Sequence, residues 1–187
     1  MLPAIASWLA AAIVSLGAGN GVHLPDGTQF APADGNFSIQ MPKGFTEPVA
    51  SDMPIQSAVG PLNMKLYTSL LDAQTVMLIS YTDYPDPASK TDGKVLIKGA
   101  RDGAMKSLKG TVLNEKETAT NGIAGRSVLF SGLSSGHRTY GRVDYYYDQP
   151  RLYTLLLLTP KQSIVSSAPI GNAFASFAIT PGSTATH

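Results

Sequence analysis

The chain offers little chemistry that its residue types and spacing could perform. It has three histidines and no cysteine in 187 residues, which removes disulfides, Cys-ligated zinc, iron–sulfur clusters and thiol catalysis at once. His23 and His187 fall near the ends, so a histidine-dependent metal site or a catalytic serine would have to use His137. Ser134 and Ser135 stand close by, in a glycine-bounded stretch over residues 132–136. No G-x-S-x-G elbow surrounds any serine. Adjacent residues of a loop rarely hold triad geometry, so the loop reading prevails. Asp83, Asp86 and Asp92 gather around Tyr84-Pro85-Asp86-Pro87, but without the spacing of a calcium loop. Aspartates at turns satisfy local backbone N–H groups. Neither G-x-G-x-x-G nor a Walker pattern occurs, so nucleotide binding has no support. No catalytic residue, metal ligand or cofactor is therefore expected.

One constellation is better suited to binding. Along residues 138–147, Val143, Tyr145 and Tyr147 alternate with Tyr140, Arg142, Asp144 and Tyr146, and Arg138 shares the second set's side. Arg126, on the preceding strand, is expected to neighbour it. Tyrosine and arginine offer large contact areas with polar tips and are favoured at binding hot spots. Arg142, Tyr140, Arg138, Tyr146 and Arg126 are thus the candidate binding residues, with Arg142 and Tyr140 foremost. The competing expectation is that a helix covers this face and the tyrosines are core.

These residues need strands to position them. Residues 141–160 read as two strands joined at Asp148-Gln149-Pro150, a turn in which proline presets φ. The return strand runs Leu155, Leu156, Leu157, Leu158. A strand apolar on both faces requires cover above and below, which places it at the centre of a sheet. Residues 37–41 alternate as a first strand ended by Pro42. Residues 43–61 hold Pro48, Pro54 and Pro61 and read as irregular, with room for a short strand. Residues 65–71 and 75–84 form a hairpin turning at Asp72-Ala73. The period changes over residues 92–108, where a helix is expected with Gly110 as its C-cap. Gly93, Gly99 and Gly103 weaken that helix. Residues 111–120 and 123–131 flank Asn121-Gly122, the strongest hairpin signal in the chain. A second helix lies within residues 163–175, its regular part beginning near Pro169. Phe174, Phe177 and Ile179 then close the core.

Net charge is +1, with 43% hydrophobic and 14% charged residues. Nothing in that balance points to nucleic acid. Residues 1–19 read as a secretory signal: residues 5–16 are apolar and Gly17-Ala18-Gly19 follow, though no Lys or Arg precedes them. The run is short for a membrane span. The expected organisation is a signal over 1–19, a linker over 20–34, one domain over 35–180 and a polar tail over 181–187, with no stable membrane span in the mature chain.

The order of pieces resembles a known family. "FSIQMPKGF", a hairpin ending in "ISYTDYP", a helix around "LIKGARDGAMKSLKG", "LNEKETATNGIAGRSVLF", a tyrosine-rich strand, "RLYTLLLL" and "FASFAI" follow one another over about residues 34–179. This is similar to the α/β/α sandwiches that unite PsbP, the extrinsic protein of photosystem II, with the bacterial DcrB-like exported proteins. The resemblance implies an α+β fold, an antiparallel sheet with helices on both faces. It also implies a largely non-enzymatic accessory, chaperone-like or ligand-binding role; no photosystem role is carried over.

Three functions follow as expectations. The first is an exported, periplasmic or secreted, non-enzymatic accessory module that binds a protein partner. The second is a carrier of an apolar small molecule or lipid between the sheet and a helix thinned by Gly99 and Gly103. The third is a hydrolase using His137 and a serine. An apolar pocket would favour the carrier, and a closed core beside an exposed Tyr/Arg patch would favour the accessory module.

Overall fold

Leu155 to Leu158 are all buried to within 2% exposure, and they lie on the middle strand of the main sheet. The computed structural model describes residues 22–57 and 59–180. The expected signal and tail lie outside these residues. The strands are β1 (Thr28–Phe30), β2 (Phe37–Met41), β3 (Val49–Ser57), β4 (Gly60–Asp72), β5 (Thr75–Asp83), β6 (Thr111–Thr120), β7 (Ile123–Ser134), β8 (His137–Asp148), β9 (Arg151–Thr159) and β10 (Ala178–Ile179). The helices are α1 (Gly93–Ser107), α2 (Gln162–Val165) and α3 (Ala168–Ser176). Seven strands form one antiparallel sheet in the order β3-β4-β5-β9-β8-β7-β6; β1, β2 and β10 form a second, small sheet.

Strand alternation sends consecutive leucines of β9 into two different cores. Leu156 and Leu158 join Leu78, Val143, Tyr145, Phe130 and the buried side of α1. Leu155 and Leu157 join Ile79, Tyr146, Tyr153, Phe37, Phe174 and Phe177. Asp92 caps α1 by accepting the Lys94 N–H at 2.9 Å. Helical cover is thinner than the sandwich expectation: α1 alone serves one face, while α2, α3 and the small sheet share the other. The fold is mostly antiparallel sheet.

Other expectations changed locally. The irregular stretch contains the nine-residue strand β3. Its proline is tolerated because β3 is an edge strand, with Pro54 opposite Asn63. The left-handed residue ending α1 is Lys109 (φ 46°), not Gly110. Gly110 sits one place further on and donates to the Met105 carbonyl at 2.7 Å, closing a Schellman motif. The loop over residues 132–136 shrinks to a two-residue turn, Ser135-Gly136, with φ values of 50° and 81°. Ser134 therefore pairs with His137 in the ladder. Within the expected linker, Thr28–Phe30 pairs with β2, and Leu24 and Phe30 pack on the second core.

Candidate functional site

Two hollows flank the arm of the sheet made by β6 and β7, one on each face. They arise because α1 packs over β7 and β8 and leaves the edge strand β6 without helical cover. Alternation along β6 divides its polar side chains: Glu115 and Glu117 line the first hollow, Asn114 and Lys116 the second.

The first is an open groove of about 750 Å³ between α1 and the β6–β7 arm. Its helix side carries Lys94, Ile97, Lys98 and Arg101, its strand side Glu115, Glu117, Ala124 and Arg126, and Tyr147 closes one end. Gly93 lets the helix start approach Tyr147: a Cβ there would lie 2.7 Å from the ring. A chain of ion pairs crosses the groove. Lys98 meets Asp102 at 2.7 Å, Arg101 meets Asp102 at 2.6 Å and Glu115 at 2.5 Å, and Arg126 approaches Glu115 at 3.5 Å. Hydrogen bonds from Lys98 and then Arg101 hold the Asp102 carboxyl below its ordinary value. The Arg101 guanidinium is raised further, first by its bond to Asp102 and then by Glu115. Its Nε is buried with no partner among the described residues. Lys94 and Glu117 take part in no ion pair among the described residues.

The second hollow, about 250 Å³, lies on the opposite face beneath the turn between α2 and α3. Arg142 lines it and forms a two-pronged pair with Asp144, Nε to Oδ1 at 3.1 Å and Nη2 to Oδ2 at 2.8 Å. The guanidinium carbon lies 4.2 Å from the Phe174 ring centre. Asp144 is wholly buried and also accepts from the Ser127 hydroxyl at 2.5 Å and the Tyr146 hydroxyl at 3.4 Å.

The five expected binding residues are thus divided. Tyr140, Arg142 and Tyr146 do share a face with Asp144, and α3 covers part of it. Tyr146 is buried and stacked on Phe177, with ring centres 5.5 Å apart, so it presents no free surface. Desolvation, ahead of the Asp144 charge, pushes its hydroxyl up to about 12. Tyr140 is half-buried against the second core, and Arg138 is exposed near the β7–β8 turn. Arg126 does not neighbour Arg142: it stands opposite Tyr145 in the register and belongs to the α1 side. His137 is exposed at the same turn, and among the described residues its side chain bonds to no serine or carboxylate. Gly99 and Gly103, expected to open a gap for an apolar ligand, do not line the groove; Gly103 is buried. Sequence reasoning passed over Lys94, Lys98, Arg101, Glu115 and Lys116. Their signal was present in the four- and three-residue steps of the helix cations and the alternation of Glu115, Lys116 and Glu117.

Among the described residues no group of three His, Asp or Glu side chains is placed to hold a metal ion, and no helix is long and apolar enough to cross a membrane. No protein-family model matches the chain, and no curated protein matches it. Among solved structures, it is similar to the solution structure of cyanobacterial PsbP (CyanoP) from Synechocystis sp. PCC 6803. The identity is 14% and the TM-score 0.52, over 88% of this chain and 98% of that one. A Pseudomonas aeruginosa protein of unknown function, PA94, is 14% identical with a TM-score of 0.45, over 80% of this chain and 93% of that one. The fold is PsbP-like.

Proposed function

We propose that the protein is an exported, non-enzymatic binding module of the cell envelope that holds a segment of a partner protein in the groove between α1 and the β6–β7 arm. The observation that carries this reading is the groove's composition. It has the size of a ligand site, about 750 Å³, yet half of its lining residues are charged and both signs are present. Such walls suit a polypeptide carrying both charges, whose apolar side chains would meet Ile97, Ile123, Ala124 and Tyr147. They suit an apolar small molecule less well, since its arrival would desolvate Lys94 and Glu117 without pairing them. Lys94 and Glu117, outside the ion-pair chain, are the groups that a partner's acid and base would meet. Of the five residues expected from sequence to bind, Arg126 belongs to this surface. Export is supported by the apolar residues 5–16 followed by Gly17-Ala18-Gly19. His137 is exposed and, among the described residues, bonded to no serine or carboxylate, which lends a hydrolase no support.

A photo-crosslinking residue at Lys98, introduced in the native host, tests the site. A single envelope protein should be trapped, and Arg126→Glu should reduce the adduct severalfold while the same probe at Val49, on the far edge strand, traps none of it. Equal trapping from both positions would remove the groove as the site. Amino-terminal sequencing tests export: the mature chain should begin just after Gly17 or Gly19. A cytosolic protein retaining Met1 would overturn it.

A further inference from the structure

The second hollow has a different chemistry. We propose that it is a binding site for an oxyanion of the phosphate class, oriented by Arg142 and attracted by Lys116.

The argument begins with the geometry of Arg142. A guanidinium presents five N–H donors in a fixed plane. Asp144 occupies the Nε–Nη2 edge at 3.1 and 2.8 Å. The Nη1 end has no partner among the described residues, although Arg142 lines the hollow and is only 19% exposed in its side chain. The Phe174 ring against the guanidinium fixes its plane. A donor set held in this way binds a planar or tetrahedral oxyanion without first having to be ordered.

Asp144 does not cancel that role by position. It is fully buried, and its oxygens already accept from Arg142, Ser127 and Tyr146. It sits behind the arginine rather than in the wall of the hollow. The wall therefore holds two cations, Arg142 and Lys116, and no carboxylate. Because the Arg142–Asp144 pair is neutral as a whole, Lys116 supplies the net positive charge and Arg142 the direction. Lys116 is exposed and in no ion pair among the described residues. Ser166, exposed in the turn between α2 and α3, also lines the hollow. A purely structural Arg–Asp pair would need neither of these. The volume, about 250 Å³, falls below the usual range for drug-sized ligands and admits a phosphate group.

Titration of the ¹⁵N-labelled protein with inorganic phosphate, at ionic strength held constant with chloride, tests the assignment. Saturable shifts are expected at the Arg142 side chain and at the amides of Lys116, Ser166 and Ser167. Lys116→Gln should weaken phosphate binding about tenfold, the effect of losing one charge-assisted contact. Ser166→Asp should abolish it. Both positions are exposed, so unchanged thermal unfolding separates lost binding from lost fold. Glycerol 3-phosphate in a parallel titration separates the two sources of this chemistry: tighter binding than phosphate assigns a phosphate monoester, weaker binding the free ion. Shifts that chloride alone reproduces, that centre on Lys94 and Lys98, or that survive Lys116→Gln unchanged would overturn the proposal.

Discussion

The two hollows on either side of the β6–β7 arm are built from the same strands but use their charges in opposite ways. In the groove under α1, Glu115 lies between Arg101 and Arg126, and the side chains of the Arg126–Glu115 pair are 37% and 23% exposed. Water reaches these pairs, screens them and competes for them. In the hollow under α3, Asp144 is 0% exposed and its partner Arg142 19%. Water cannot replace that partner. The number of ion pairs therefore says little about which region holds the protein together; burial decides it. The groove keeps charges available to a partner, whereas beside the second hollow one buried carboxylate orients one arginine.

That contrast can be tested by mutation, and the largest effect should come from the buried acid. Asp144→Ala leaves Arg142 half-buried without its partner and is expected to cost about 3–5 kcal/mol in urea unfolding. A loss below about 1 kcal/mol would place Asp144 in the same class as the groove's acids. Arg142→Ala should be destabilising for the complementary reason, since it strands a wholly buried carboxylate.

The cores beneath the two hollows come next. Leu156→Ala and Leu157→Ala each remove a leucine at 1% and 0% exposure, from opposite faces, and should each cost about 2–5 kcal/mol. If either leaves the urea midpoint unchanged, that face of β9 is not the packed surface described above.

Alkali should act on both cores together, and gradually. Burial raises the hydroxyls of Tyr81, Tyr84 and Tyr146 to about 12, above the ordinary value of 10.0. The unfolded chain therefore releases these protons first. Their contribution to stability is complete below pH 10 and is lost as pH rises from there through 12. Thermal unfolding between pH 9 and about 12, with tyrosinate absorbance followed alongside, reads this directly. Thermal stability unchanged across that range would contradict the burial of these rings.

The smallest effect should be in the groove. Arg126→Ala breaks an exposed pair and is expected to change stability by less than about 1 kcal/mol. It should still diminish capture of the partner. A large stability loss would give the groove the structural character assigned here to the hollow under α3.

Local chemistry in the sequence determined much of the scaffold. Four successive leucines cannot hide one face at a time, so β9 had to be central, and it is the middle strand of seven. Asn121-Gly122, at φ values of 47° and 82°, turns as its residue types require. Pro169 falls in the first turn of α3. The shared face of Tyr140, Arg142, Asp144 and Tyr146 follows from alternation within a single strand. Tertiary structure alone decided how neighbouring strands meet. A loop spanning 132–136 would set Ser131 opposite His137 and Arg126 opposite Arg142. The observed two-residue turn sets Ser134 opposite His137 and moves Arg126 opposite Tyr145, a shift of three positions. An odd shift sends every side chain of a strand to the other face. Arg126 thus left the predicted patch for the groove under α1. Alternation is written into each strand separately, but register is a property of two strands and the turn between them, selected by which pairing buries the more apolar surface.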